Sequence, residues 1–233
     1  MTTHKPNTGT VKVNVGIPTS EFMGMQYRVV IADPPWAFED ALVMGKGKTR
    51  RGAAAHYATM PTEEIAAIPV KDWCEPDAVL ALWTPAALLA DGLAVMAAWG
   101  FVQKQVVVWV KRTRTGGLQM GMGRQFRSAC ELALIGARGS LVPESRSERN
   151  VFECAPLGHS VKPDTLHAML ARMYPGGPFL ELFARRRVPA WTTVGLECEG
   201  GIRADLRTWR PPEEAAPAAM QMDLFAPLVE ATA

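Results

Sequence analysis

The chain has no apolar run of membrane-spanning length and no basic-then-apolar opening, so it reads as a cytosolic protein rather than a membrane-inserted one. Cysteine is scarce. Cys74, Cys130, Cys154 and Cys198 stand far apart with no C-x-x-C pair, which removes any zinc cage or disulfide framework. The histidines His4, His56, His159 and His167 lack ligand spacing, and no metal is expected. There is no internal repeat. Nor does a G-x-G follow a strand ahead of Asp33; Gly121-Met122-Gly123 lies instead in a basic loop.

What remains is the composition of an ordinary globular chain, 48% hydrophobic and 21% charged, and 233 residues predict one sizeable core, with no second expected. Charge is unevenly spread. The net charge is +2, but residues 211–233 hold Glu213, Glu214, Asp223 and Glu230 and no base, leaving +6 on the body. A mildly basic body with an acidic tail is compatible with a nucleic-acid substrate without requiring one.

The most informative stretch is Asp33-Pro34-Pro35-Trp36, directly after the β-branched run Tyr27–Ala32. Such a run ending in an acid and two prolines predicts a buried strand that stops abruptly in a stiff turn. In an open parallel sheet, ligands sit beyond the carboxyl ends of the strands. These residue types suit a planar ring bearing an exocyclic amine. Asp33 and the Pro34 carbonyl can each accept one N–H, and Trp36 offers a face for stacking. Two fixed acceptors favour a pyramidal nitrogen and stabilise charge developing on it during attack. As an isolated tetrapeptide, the same residues could equally make a proline-rich turn over a buried Trp.

Elsewhere the pattern alternates strands with helices. Strands are predicted at Ala78–Trp83, Val106–Val110, Cys130–Ile135, Val151–Cys154, Phe179–Phe183 and Trp191–Val194. Helices are predicted from Pro61, over Pro85–Trp99 with a stop at Gly100, and over Asp164–Tyr174. The sum is an α/β protein with a parallel sheet. Two long stretches lack periodicity. Phe38–Tyr57 carries Lys46, Lys48, Arg50 and Arg51 among glycines, which fits either a solvated loop or a lid that grips phosphate. Lys111–Gly123 carries Arg112 and Arg114. Trp83 and Trp109 each end an apolar strand and are expected in the core.

Seven blocks, in order, resemble the DPPW-type N6-adenine methyltransferases, a family with bacterial, phage and eukaryotic mRNA-modifying members. They are Asp33–Trp36, Tyr57–Met60, Val79–Thr84, Val108–Lys111, Glu131–Gly136, His159–Asp164 and Leu180–Arg185. The resemblance spans Tyr27 to Glu197. It implies a Rossmann-like S-adenosylmethionine-dependent methyltransferase fold, circularly permuted so that the catalytic motif precedes the cofactor-binding half. Residues 21–210 would form that domain, between a loose segment 1–20 and a flexible tail 211–233.

By the same resemblance, Asp33, Pro34, Pro35 and Trp36 are catalytic, with Asp33 also near the cofactor's amino group. Lys162 binds the methionine carboxylate of S-adenosylmethionine, Arg185 meets the ribose, and the strand holding Glu181 and Phe183 contacts the cofactor at its end. Gly195 and Glu197 fall in the ribose-and-adenine segment, where Leu196 replaces a family asparagine. Tyr57 flanks the acceptor base. Glu131 orients that base or a neighbouring loop, or is simply a structural carboxylate. DNA is the expected substrate, with RNA or a catalytically silent nucleic-acid-binding subunit as alternatives. Last, Gln221-Met222-Asp223-Leu224-Phe225 follows a Pro/Glu/Ala-rich linker and resembles the peptide by which bacterial proteins bind the sliding clamp.

Overall fold

The computed structural model describes residues 24–37, 59–121, 125–157 and 161–208. They build one eight-stranded sheet in the order β5-β3-β4-β2-β1-β6-β7-β8. The strands are β1 (Tyr27–Ala32), β2 (Cys74–Thr84), β3 (Val102–Lys111), β4 (Cys130–Arg138), β5 (Val151–Cys154), β6 (Phe179–Leu182), β7 (Trp191–Gly195) and β8 (Ile202–Arg203). Three α-helices accompany them: α1 (Thr62–Ala66), α2 (Leu89–Ala98) and α3 (Thr165–Met173).

Strand alternation divides the core into two layers. On β1 and β2, Val30, Ala32, Leu80 and Leu82 face one side, packed with Ile65 of α1 and Val95 and Met96 of α2. Val29, Ile31, Val79, Ala81 and Trp83 face the other, with Leu166 and Leu170 of α3. Both faces of the central strands are therefore covered, which is why they read as continuous apolar runs. Trp83 and Trp109 are core residues, each 2% exposed.

The sheet is not wholly parallel. β4 runs antiparallel to both of its neighbours, β2 and β3. The cause is the connection between β3 and β4. It turns back on itself through the Arg112–Leu118 bridge rather than crossing over a helix, so β4 returns in the opposite direction. The long stretch between Lys111 and Glu131 is thus a strap that opens with a hairpin extension. The strand of 106–110 also starts earlier than its apolar run, at Val102. Its first half lies beyond the reach of β5, which pairs only with 108–111, and its side chains there are exposed. The predicted helix over 85–99 divides into a 3-10 turn, Ala86–Leu88, and α2; Gly100, at φ +79, ends it as expected.

The chain leaves β1 toward β2 and leaves β6 toward β7, although β1 and β6 are parallel neighbours. The segments following these two strands diverge in opposite directions and open a crevice at their carboxyl ends. No helix among the described residues is long and apolar enough to cross a membrane.

Candidate active site

Asp33 stands where β1 stops. Its N–H still reaches the Leu182 carbonyl of β6 at 3.3 Å, so the turn begins anchored to the neighbouring strand. The prolines fix the path that follows. Trp36 donates its N–H to the Pro34 carbonyl at 2.9 Å, and Met60 donates to the Pro35 carbonyl at 2.7 Å. A carbonyl has two lone pairs, so Pro34 keeps one acceptor direction for a ligand. Trp36 differs from the stacking surface expected of it. Its indole donates to the Trp83 carbonyl at 2.9 Å and only 5% of the residue is exposed. It props up the cavity floor and leaves little of its surface for a base to stack on.

Above this turn lies a row of alternating charges. Lys162 Nζ is 2.7 Å from Asp33 Oδ2 and 3.3 Å from Glu131 Oε2, and Glu131 in turn bonds Lys111. Four elements contribute: the turn after β1, the end of β3, the start of β4, and the segment leading into α3. Burial pushes the Asp33 carboxyl above its ordinary value despite the pull of Lys162. Burial acts the same way on Glu131, but Lys162 and Lys111 outweigh it and hold that carboxyl below its ordinary value. Lys162 is itself held above its ordinary value: burial works to lower it, and the two carboxylates more than offset that. Its ammonium also sits 5.5 Å over the Trp83 ring.

The far wall is formed by the ends of β6 and β7. Phe183 adopts φ +62, an uncommon conformation for a non-glycine residue and one that collects at ligand sites. Next to it the two chain segments approach so closely that a Cβ on Gly195 would fall 2.0 Å from the Ala184 carbonyl oxygen. Only glycine fits there. Beyond this contact Arg185 lies 3.8 Å from Glu197. The cavity enclosed between the two walls measures about 360 Å³ and reaches from Asp33, Glu131 and Lys162 to Arg185, Leu196 and Glu197.

Five residues of the cavity wall were missed from the sequence: Lys111 at the end of β3, and Ala204, Asp205, Leu206 and Arg207 after β8. Arg207 grips Asp205 at 2.6 and 2.7 Å, and these bonds hold the Asp205 carboxyl below its ordinary value. The strand before them, β8, has two residues. That is too short for any periodicity to reveal, so the sequence held no signal for them.

Two expected residues lie off the cavity wall. Gly195 acts through the backbone contact just described. Glu181 alternates away from Leu180 and Leu182, toward α3, where its Oε2 is 3.0 Å from His167 Nε2 at an angle that makes no hydrogen bond. Asp164 begins α3 without capping it and pairs with Arg186 instead. Lys46, Lys48, Arg50, Arg51, Tyr57, Gln221, Leu224 and Phe225 lie outside the described residues.

The MT-A70 family profile matches residues 27–197. A type II methyltransferase, M.MunI, from a Mycoplasma species is 28% identical over 188 residues, covering 74% of this chain and 78% of that one. A putative N(6)-adenosine-methyltransferase MT-A70-like protein of Medicago truncatula is 27% identical, covering 85% of this chain and 33% of its own length. The human N(6)-adenosine-methyltransferase catalytic subunit METTL3 is 27% identical, covering 75% of this chain and 29% of its own length. The chain thus spans about a third of these eukaryotic relatives and most of the bacterial one. With 171 consecutive positions, from 27 to 197, under one profile, this chain belongs to the MT-A70 family.

Proposed function

We propose that the protein transfers a methyl group from S-adenosylmethionine to N6 of adenine in DNA, with the target base flipped out or already unpaired. The observation that carries this reading is the meeting of Asp33, the rigid Pro34 carbonyl and Lys162 in one crevice at the ends of β1 and β6. Members of the MT-A70 family use S-adenosylmethionine as methyl donor, and the groups in the cavity fit that molecule. Lys162 offers a cation for its carboxylate, and Glu197 and Asp205 offer acceptors for hydroxyl and amino groups. Phe183, Leu196 and Leu206 supply apolar surface for its ring. The cofactor contributes an electrophilic methyl group on a sulfonium. Asp33 and the Pro34 carbonyl hold the two N–H bonds of the acceptor amine, turning its lone pair out of conjugation. Trp36 and Met60 keep the turn from yielding, since both are bonded back to it. A base inside a duplex cannot reach such a crevice, so the adenine must leave its stack.

DNA is favoured over RNA by the extent of similarity to the bacterial type II methyltransferase, 78% of whose length is covered. Mass spectrometry of nucleosides from expressing and non-expressing cells tests both, on DNA and RNA separately and beside an Asp33→Ala control. N6-methyladenine in DNA that disappears with Asp33→Ala is the expected result. Methylation confined to RNA overturns the choice of substrate. Absence from both, with no thermal shift at millimolar S-adenosylmethionine, identifies a silent binding subunit.

A further inference from the structure

The strap between β3 and β4 exposes more apolar surface than a solvated loop has reason to. Phe126 is 87% exposed, Met120 76% and Leu118 59%. Large exposed apolar side chains clustered on one segment mark contact surfaces rather than accidents of the surface. Described residues of the strap are also held in place. Gln119 donates its N–H to the Lys111 carbonyl at 2.9 Å, and Thr113 donates to Gly117 at 2.8 Å. Gly121 donates to Ser128 at 2.9 Å, across a gap in which a Cβ on Gly121 would fall 2.5 Å from the Ser128 carbonyl oxygen. Arg112 is pinned to Glu153 at 2.8 and 2.9 Å. Leu118 and Met120 are therefore carried on braced backbone, and the bond from Gly121 to Ser128 ties the two sides of the segment that bears Phe126.

Two observations say what covers them. No acid occurs between Lys111 and Glu131, whereas Arg112, Arg114, Arg124 and Arg127 do, and of these Arg114 and Arg127 are exposed. Both ends of the strap, Lys111 and Glu131, line the cavity. Phe126 is five residues from Glu131, so it sits no more than about 17 Å from the cavity at full extension. That is the distance of a few stacked bases. Basic side chains flanking an exposed aromatic match the chemistry of a nucleic-acid strand, with phosphates for the arginines and a ring face for the phenyl group.

We propose that Phe126 stacks on a nucleobase beside the target, so that the strap holds the strand while the target base enters the cavity. This inference rests on the methyltransferase reading above and names a contact outside its catalytic residues. Its test uses the full chain, a fluorescent 20-mer of deoxyadenosine, and an abasic 20-mer of equal charge, compared by anisotropy across a salt series. Phe126→Ala should weaken binding of the adenine strand about fivefold to a hundredfold, the range that base–aromatic stacking carries. It should leave the abasic strand and the salt dependence unchanged, and Phe126→Trp should bind as the wild type does. Arg114→Gln with Arg127→Gln should weaken both strands and reduce the salt slope by about 1.4, because each single-strand phosphate contact adds ~0.7.

Calorimetric titration with S-adenosylmethionine confirms that each variant is folded. Equal effects of Phe126→Ala on both strands, or none, overturn the inference. So does no binding of the adenine strand by the wild type. A change in sedimenting mass caused by Phe126→Ala overturns it too, and assigns the surface to subunit contact. Methylation of cellular DNA and RNA by the same variants is followed in parallel. Stacking by a protein that leaves N6-methyladenine absent from both overturns the methyltransferase reading alone, and methylation unaffected by Phe126→Ala, with unaltered binding, overturns this inference alone.

Discussion

Replacing Lys162 by alanine removes the cation between two carboxylates. Asp33 and Glu131 would then face each other with nothing between them, having lost contacts of 2.7 and 3.3 Å. Deleting one member of a fully buried ionic cluster costs about 3–5 kcal/mol. Here the lysine side chain is 16% exposed and its partners 23% and 32%, so water recovers part of that. A loss of about 2–3 kcal/mol is expected, or about 4–12 °C in Tm for a chain of this size.

The loss should depend on pH in a definite direction. In the wild type Glu131 titrates below its ordinary value, so its contribution is complete above the unfolded value of ~4.3 and fades as pH falls through the lower folded one. In the variant Asp33 loses its neighbouring cation and titrates still further above its unfolded value, and Glu131, left with Lys111 alone against burial, titrates higher than in the wild type. The variant therefore loses stability relative to the wild type as pH rises through those raised values. The gap between the two proteins should be widest near about pH 7 and narrow toward about pH 4. Urea denaturation at several pH values measures it, and calorimetry at neutral pH measures the accompanying fall in S-adenosylmethionine affinity. That fall should be about one to two decades, the worth of a charge-assisted hydrogen bond of ~1.5–3 kcal/mol. A gap that is absent, or constant with pH, refutes the charge row. An unchanged dissociation constant removes Lys162 from the cofactor site.

Asp33→Ala should lower turnover by ~10²–10³ or more while cofactor affinity stays within about tenfold; more than half of wild-type turnover contradicts its role. Gly195→Ala should lower stability by about 1–3 kcal/mol and weaken cofactor binding, since the Ala184–Arg185 segment must move to admit the methyl; an unaltered Tm contradicts the close contact. Neutralising Lys46, Lys48, Arg50 and Arg51 together should flatten the salt dependence of DNA binding without changing the preferred target; the reverse outcome makes that segment a reader of bases. Sliding clamp should be retained by the full chain and lost with Leu224→Ala, Phe225→Ala; equal retention by both, or by neither, rules out the peptide.

The sequence by itself determined seven of the eight strands and the turn on which the candidate site opens. β1 and β2 are buried on both faces, so their apolar runs signal them directly, and a strand ending in Asp33-Pro34-Pro35 has no other continuation than a stiff turn. Two kinds of fact lay beyond it. One is neighbourhood: periodicity reports how deeply a residue is buried, not which strand lies beside it. The reversed β4, and the meeting of Asp33 with a lysine 129 positions away, come from packing over the whole chain. The other is direction. Glu181 and Glu197 are alike as residues, yet a two-residue alternation turns the first toward α3 while the second, past the end of β7, opens on the cavity. Asp205 shows both at once, because a two-residue strand has no period to read and only its docking beside β7 brings that carboxylate to the cavity wall.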